Sequence, residues 1–247
     1  MIYAIGDIHG QITMLLELLT IIRNRPLREA DQLVFLGDYI DRGEDSRAVV
    51  QAMIDLSREH DNVVFLRGNH EQLMLDARDG PPPEPADTEG YMTHSPAMMI
   101  WLQNGGIDTL LNYNVTDLSC WWDAIPQTHW QFIRDTQIEH VTERYHFVHA
   151  GLLPPGKNWE GDFWDRQVDP RIWIREPFLS TRHVFNGRTV VFGHTPQRTG
   201  RPLISRNKIG LDTGAVFGGP LTAAAFPVYV HGQREAGPEF LQVPYVK

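Results

Sequence analysis

Three short apolar runs of this 247-residue chain end in the same way and at the same interval. Ile2-Tyr-Ala-Ile5 leads into Gly6-Asp7-Ile-His9, Leu33-Val-Phe-Leu36 into Gly37-Asp38, and Val63-Val-Phe-Leu66 into Arg67-Gly68-Asn69-His70. Asp7 and Asp38 are 31 residues apart, and so are Asp38 and Asn69. That interval is the length of one strand-helix-strand unit. Continuous runs rich in β-branched and aromatic residues read as buried strands. Between them, Leu15, Leu16, Leu18, Leu19, Ile21 and Ile22 form one apolar helix face, and Ala48, Val49, Ala52, Met53 and Leu56 form another. Right-handed crossovers put the carboxyl ends of such parallel strands on one edge, so Asp7, Asp38 and Asn69 are expected to converge where open α/β sheets bind ligands.

Two later runs repeat the ending. Tyr145 to Val148 precedes His149-Ala150-Gly151, and Val190-Val-Phe192 precedes Gly193-His194. The stretch from about Arg78 to His140 has a different texture. It opens with Gly80-Pro-Pro-Pro-Glu-Pro85, a stiff connector. Ala97-Met-Met-Ile-Trp-Leu102, Gly105-Gly106, Trp121, Trp122, Trp130, Phe132 and Ile133 follow at short-helix spacings. We read residues 78–140 as a helical cap inserted between the third and fourth strands, with its tryptophans as core and Cys120 as a small buried hydrophobe. Lys208 to Asp212, Leu221 to Phe226 and Val228-Tyr-Val230 read as strands joined by turns and running antiparallel. The expected fold is α/β in a single domain over residues 1–247.

The strand ends collect Asp7, His9, Asp38, Asn69, His149 and His194: oxygen and nitrogen donors without a thiolate. Such a set suits two divalent ions such as manganese, iron or zinc, with one carboxylate shared between them. Two such ions outweigh the aspartates and make the site positive, although the chain carries a formal net charge of -9. Arg42, Arg67 and Arg175 are candidates to reach the same edge, and planar guanidinium groups suit a phosphoryl group. His70 follows the ligand candidate Asn69 and is the expected proton donor to a leaving oxygen, with Asp41 fixing its tautomer. Asp212 sits in Asp-Thr-Gly, which is more often a turn, and stays outside the ligand set. The remaining histidines, including His60, His94, His129, His140, His146, His183 and His231, read as solvated or core residues.

Charge and composition narrow the partners. An acidic chain with no basic stripe is not expected to bind nucleic acid or an anionic membrane. Its first residues show no signal-peptide pattern, no long apolar stretch occurs, and the lone Cys120 suits a reducing compartment. A cytoplasmic location is expected.

Gly6-Asp-Ile-His-Gly10, Gly37-Asp-Tyr-Ile-Asp-Arg-Gly43, Arg67-Gly-Asn-His-Glu71, His149-Ala-Gly151 and Gly193-His194-Thr together resemble the motif set of the calcineurin-like metallophosphoesterases, in the phosphoprotein phosphatase branch. The five fixed letters of Gly-Asp-x-x-Asp-Arg-Gly alone arise by chance on the order of 10⁻⁴ times in a chain of this length. The resemblance spans about residues 1–215 and implies a β-sandwich flanked by helices. It implies that Asp7, His9 and Asp38 hold one metal and Asp38, Asn69, His149 and His194 the other, manganese above iron or zinc. It implies too that His70 with Asp41 is the acid pair and that Arg42, Arg67 and Arg175 clamp phosphate. Arg175 is identified only by its Ile-Trp-Ile-Arg-Glu-Pro setting.

His149-Ala-Gly, Gly-His194-Thr-Pro and Leu211-Asp-Thr-Gly-Ala-Val-Phe-Gly-Gly219 resemble the bacterial and phage phosphatases and the symmetrical diadenosine tetraphosphatases. The expected function is metal-dependent hydrolysis of phosphoserine and phosphothreonine monoesters, by direct attack of a hydroxide bridging the two metals. Two alternatives stand beside it. One is a symmetrical dinucleoside tetraphosphate hydrolase, and the other is a silent module that binds phosphorylated partners.

Overall fold

The computed structural model describes residues 1–25, 30–80, 95–159, 168–227 and 237–246. Val228 to Val230, Pro81 to Pro85, His94 and His231, all singled out in the sequence, lie outside the described residues.

Two five-stranded sheets stack face to face. The first has β1 (Ile2–Ile5), β2 (Gln32–Phe35), β3 (Val63–Phe65), β9 (Leu221–Phe226) and β10 (Glu239–Val243), in the order β10-β9-β1-β2-β3. The second has β4 (Glu139–Val141), β5 (Tyr145–Val148), β6 (Thr189–Phe192), β7 (Leu203–Ser205) and β8 (Lys208–Gly210), in the order β4-β5-β6-β8-β7. Alternate residues of both sheets, among them Ala4, Val34, Leu36, Phe147, Val191 and Phe226, share one buried cluster between them. This is the sandwich expected from the sequence.

Register explains the convergence of the strand ends. Ile5 pairs with Phe35 and Phe35 with Phe65, all parallel, so the three chains leave the sheet side by side. In the second sheet β5, β6 and β8 are likewise parallel, and Phe192 pairs with Gly210. His149, Gly193-His194 and Asp212 therefore emerge on one edge.

Helix α1 (Ile12–Arg23) buries Met14, Leu15, Leu18, Leu19 and Ile22 against the outer face of the first sheet. Helix α2 (Ser46–Glu59) starts at Asp45, whose carboxylate accepts the backbone N–H of Ala48 at 2.8 Å, satisfying one of the orphan donors at a helix start. Helix α3 (Asn69–Asp79) begins directly after β3.

The cap consists of α4 (Pro96–Trp101), a π-helical turn through Gly106, α5 (Ile107–Asn112), a 3₁₀ segment (Leu118–Ala124) and α6 (Gln127–Asp135). Trp101, Trp121 and Trp130 are buried, with ring centroids 4.8 Å and 5.5 Å apart in succession, and belong to the same apolar cluster as the faces of α1 and α2. A short helix α7 (Pro170–Trp173) follows β5.

Four expectations need correction. Cys120 is exposed and sits at a non-helical kink of the 3₁₀ segment, outside the helical register that a buried position there would need. The cap helices end at Asp135, and Glu139 and His140 already belong to edge strand β4. β8 is antiparallel only to β7, and on its other side it continues the parallel set beside β6. β9 is antiparallel as expected, to β1 and β10, but it lies in the first sheet and not beside β8. All six residues of β9 are buried and three are alanines, which lets a central strand be covered on both faces.

No helix among the described residues is long and apolar enough to cross a membrane.

Candidate metal centre

The turns that leave β1, β2 and β6 are bent tightly. His9, Asp38, Asp41, Arg42 and His194 all have φ between 45° and 74°. Left-handed backbone at a non-glycine residue costs on the order of 1–3 kcal/mol and persists only where the surroundings enforce it. Here the backbone N–H groups of Ile8 and His9 both donate to the Asp38 carbonyl, at 3.0 and 2.8 Å. The buried carboxylate of Glu71 accepts the N–H groups of Asp38, Tyr39 and Gly68 at 2.8 to 2.9 Å. Glu71 lies in a quoted motif but carried no role in the sequence reading.

The ring nitrogens are oriented from behind. His9 Nδ1 lies 2.9 Å from the Ile40 carbonyl, His149 Nδ1 2.8 Å from that of Leu36, and His194 Nε2 3.1 Å from that of Trp173. Each of these nitrogens must be the N–H, so the other ring nitrogen faces inward and offers a lone pair whenever the ring is neutral. His149 Nε2 and His194 Nδ1 then point at the Asn69 Oδ1 atom from 3.1 and 2.9 Å. Asp38 Oδ2 is 3.5 Å from His9 Nε2 and 3.4 Å from His149 Nε2. Two donor groups result, His9 with Asp38 and His70, and Asp38 with His149 and His194, and Asp38 is common to both.

These residues fit divalent cations. Asp7 Oδ1 is buried with no hydrogen-bond partner, while its Oδ2 accepts the His194 N–H at 2.8 Å. A Cβ on Gly193 would fall 2.0 Å from Asp7 Oδ1, so only glycine lets that oxygen stand where it does. A buried carboxylate oxygen without a hydrogen-bond partner is costly unless a cation meets it. The electrostatics agree. Burial and the neighbouring Asp212 hold Asp7 well above the usual carboxylate range. Burial pulls His149 down, but Asp38 and Asp7 outweigh it and lift the ring to about 9. His9 is pushed down to about 3 by burial and by His70. Asp212 is buried, accepts the Gly214 N–H on its Oδ1 at 3.0 Å and is pushed up to about 6, first by burial and then by Asp38.

His70 Nδ1 lies 2.7 Å from Asp41 Oδ2, and both side chains are buried. Burial lowers His70 to about 4 and raises Asp41 to about 7, so the pair together retains two protons up to about pH 7. Trp101 and Thr109 of the cap also reach Asp41. The sequence reads Trp101 as cap core and gives Thr109 no role.

The three arginines differ. Arg42 Nη1 lies 3.4 Å from His9 Nε2, its Nε donates to the Asn104 carbonyl, and its guanidinium carbon is 5.8 Å from the ring centre of Phe217. Arg175 Nη2 donates to the His194 carbonyl at 3.1 Å. Arg67 departs from the expected clamp geometry. Its Nε donates to Thr136 Oγ1, its Nη1 to Gln72 Oε1, and its Nη2 to the carbonyls of Arg134 and Thr136. Most of its donors therefore tie α3 to the end of α6.

Three further histidines among the described residues bond outside the cluster. His129 meets the Tyr113 hydroxyl and Gln51, His140 meets Gln32, and His146 meets Glu139.

Comparison with known proteins agrees with this geometry. A solved structure provisionally assigned as a diadenosine tetraphosphatase superposes with a TM-score of 0.59 over 98% of this chain and 92% of its own, at 21% identity, which is a likeness of fold. Serine/threonine-protein phosphatase 1 of Salmonella typhimurium is 33% identical over 228 residues, covering 90% of each chain. The symmetrical bis(5'-nucleosyl)-tetraphosphatase of Nitrosomonas europaea is 29% identical over 157 residues, or 64% of this chain and 46% of the relative. The sequence pattern of the calcineurin-like phosphoesterase family matches residues 1–213, and the chain belongs to that family of hydrolases.

Proposed function

We propose that this chain, acting as one domain over residues 1–247, hydrolyses phosphoserine and phosphothreonine monoesters. One observation carries the choice of substrate. The relative named as a serine/threonine-protein phosphatase aligns along 90% of both chains, whereas the tetraphosphatase of Nitrosomonas europaea aligns with less than half its own length.

In this reading Asp7, His9 and Asp38 hold one divalent ion, and Asp38, Asn69, His149 and His194 the second. Manganese is the ion the family resemblance implies, with iron and zinc as alternatives that the same donors accept. Bound there, such ions supply Lewis acidity that makes water a competent nucleophile at neutral pH and offsets phosphoryl charge.

The protein's own groups do the rest. Arg42 and Arg175 hold the outer phosphoryl oxygens, and Arg67 adds what its remaining Nη1 hydrogen can reach. A seryl or threonyl alkoxide is a poor leaving group and needs a proton as the P–O bond breaks. His70 gives that proton from Nε2, while Asp41 receives the Nδ1–H and keeps the ring aimed.

A second reading has its own support in the tetraphosphatase relative and in Phe217, 64% exposed beside Arg42, which offers a base a flat aromatic face. In that case the chain splits a dinucleoside tetraphosphate into two nucleoside diphosphates.

Measuring kcat/KM of the manganese-loaded protein on a phosphothreonine peptide and on diadenosine tetraphosphate, with products separated by chromatography, tests the proposal. Preference for the peptide with inorganic phosphate as the phosphorus product supports it. Higher efficiency on the dinucleotide, with two ADP per turnover, replaces it with the second reading. No turnover of either, or of p-nitrophenyl phosphate, makes the chain a phosphate-binding module.

A further inference from the structure

We infer that Trp101 and Thr109, both on the cap, are positioning residues for the acid pair and hold the Asp41 carboxylate in the one orientation that serves His70. The inference rests on the proposed role of His70 as proton donor.

Asp41 has no exposed surface, and its carboxylate is surrounded by three side-chain donors. His70 Nδ1 takes Oδ2 at 2.7 Å. Thr109 Oγ1 lies 2.6 Å from Oδ1, and the Trp101 indole N–H straddles the two oxygens at 3.0 and 3.2 Å. A carboxylate can turn about its last bond at little cost in water. Here such a turn would strip Thr109 and Trp101 of their acceptor in a dry interior, which costs far more. The backbone is held as well, since the Asp41 N–H meets Thr109 Oγ1 and Ser46 Oγ, each at 3.0 Å.

Trp101 and Thr109 are themselves fixed by features of the cap. A Cβ on Gly106 would lie 2.6 Å from the Trp101 ring, so glycine is what lets the indole pass. Trp121 packs against the same ring, with centroids 4.8 Å apart. The preceding Gly105, at φ 109°, accepts the Arg42 N–H with its carbonyl, and a Cβ there would lie 2.5 Å from Arg42 Cγ. The Trp101-to-Thr109 stretch therefore grips Asp41 and Arg42 together, two consecutive residues with φ of 74° and 69°. In this arrangement the cap does more than cover the edge of the sheet. It sets the aim of the proton donor.

The experiment compares wild type, W101F and T109V on two substrates with different leaving groups, at saturating manganese. Phenylalanine removes the indole N–H together with part of the buried ring, and valine removes the hydroxyl while keeping the shape, so T109V is the cleaner deletion of a hydrogen bond. On a phosphothreonine peptide, whose alkoxide needs a proton, kcat is expected to fall about tenfold in each variant while KM stays within about twofold. On 2,4-dinitrophenyl phosphate, whose phenolate leaves unaided, kcat is expected to stay within about twofold of wild type. Metal content and melting temperature report whether either variant has lost its fold. A further arm places W101F in the D41N background, where the loss should largely vanish because the two changes share one path. Equal losses on both substrates, no loss on the peptide, or full additivity with D41N each overturn the inference. An H70N control separates the two levels. If H70N keeps full turnover of the peptide, the proton-donor reading has failed and the inference falls with it. If H70N loses turnover selectively and W101F and T109V do not, the inference alone has failed.

Discussion

The carboxylate of Glu71 receives the backbone N–H of Asp38 at 2.9 Å, so the first turn of α3 fixes the loop that follows β2. The same carboxylate also takes Tyr39 and Gly68, and burial followed by the charge of Asp38 lifts Glu71 to about 7. Glutamine has the same length but turns one acceptor into a donor that would face a backbone N–H. E71Q is expected to lose about 2–4 kcal/mol of stability and to hold metal less tightly. Urea unfolding and metal content after dialysis check both.

Asp38 stands in both ligand groups, with Oδ2 between His9 and His149. Changing it to asparagine removes the charge that both share. D38N is expected to retain less than one ion per chain, against two in wild type, and to lose activity in parallel. Elemental analysis of the dialysed proteins reads the first directly. Full retention would remove Asp38 from the shared position.

Arg42 and Arg67 should separate cleanly. R42A is expected to raise KM by about tenfold or more with little change in melting temperature, because its guanidinium faces the site beside His9. R67A is expected to lower the melting temperature first, because it releases the end of α6 from α3. Steady-state kinetics and thermal unfolding on the same preparations distinguish the two.

His129 gives the cap its own pH dependence. Burial, and then the charge of Arg47, lower its value below 6.5, and the ring is held between the Tyr113 hydroxyl and Gln51. Because the folded state binds this proton less readily than the unfolded chain, the stability His129 contributes is complete above about pH 6.5 and is lost as the pH falls below it. The melting temperature of wild type should therefore drop more than that of H129Q between pH 7.5 and pH 5.5.

Much of this site could be read along the chain, because its residues follow strands directly and the equal spacing of Asp7, Asp38 and Asn69 already implied a common edge. Parallel register then carried those residues together with little help from side chains. What stayed hidden depends on contacts between distant segments. Trp101 is 60 residues from Asp41, and nothing in a helical stretch with a double glycine says that its indole N–H will meet that carboxylate. Arg67 sits in a strong motif, but where its guanidinium turns is decided by Thr136 and the end of α6. Asp212 looked like a turn residue and is one, through Gly214, yet parallel pairing of β8 beside β6 also brings it to the edge where Asp7 stands. The pairing of β9 with β1 had no local sign, since a run of alanines states burial and leaves the partner open.

In the proposed function, two ions at the shared strand edge are needed for phosphoester hydrolysis. Stripping the protein with EDTA and titrating manganese back while following phosphate release from a phosphothreonine peptide tests it most directly. The expected result is no turnover without metal and a rate that rises to its plateau as the second ion per chain is bound. A full rate in the stripped protein, or no turnover with two ions bound, would contradict the account.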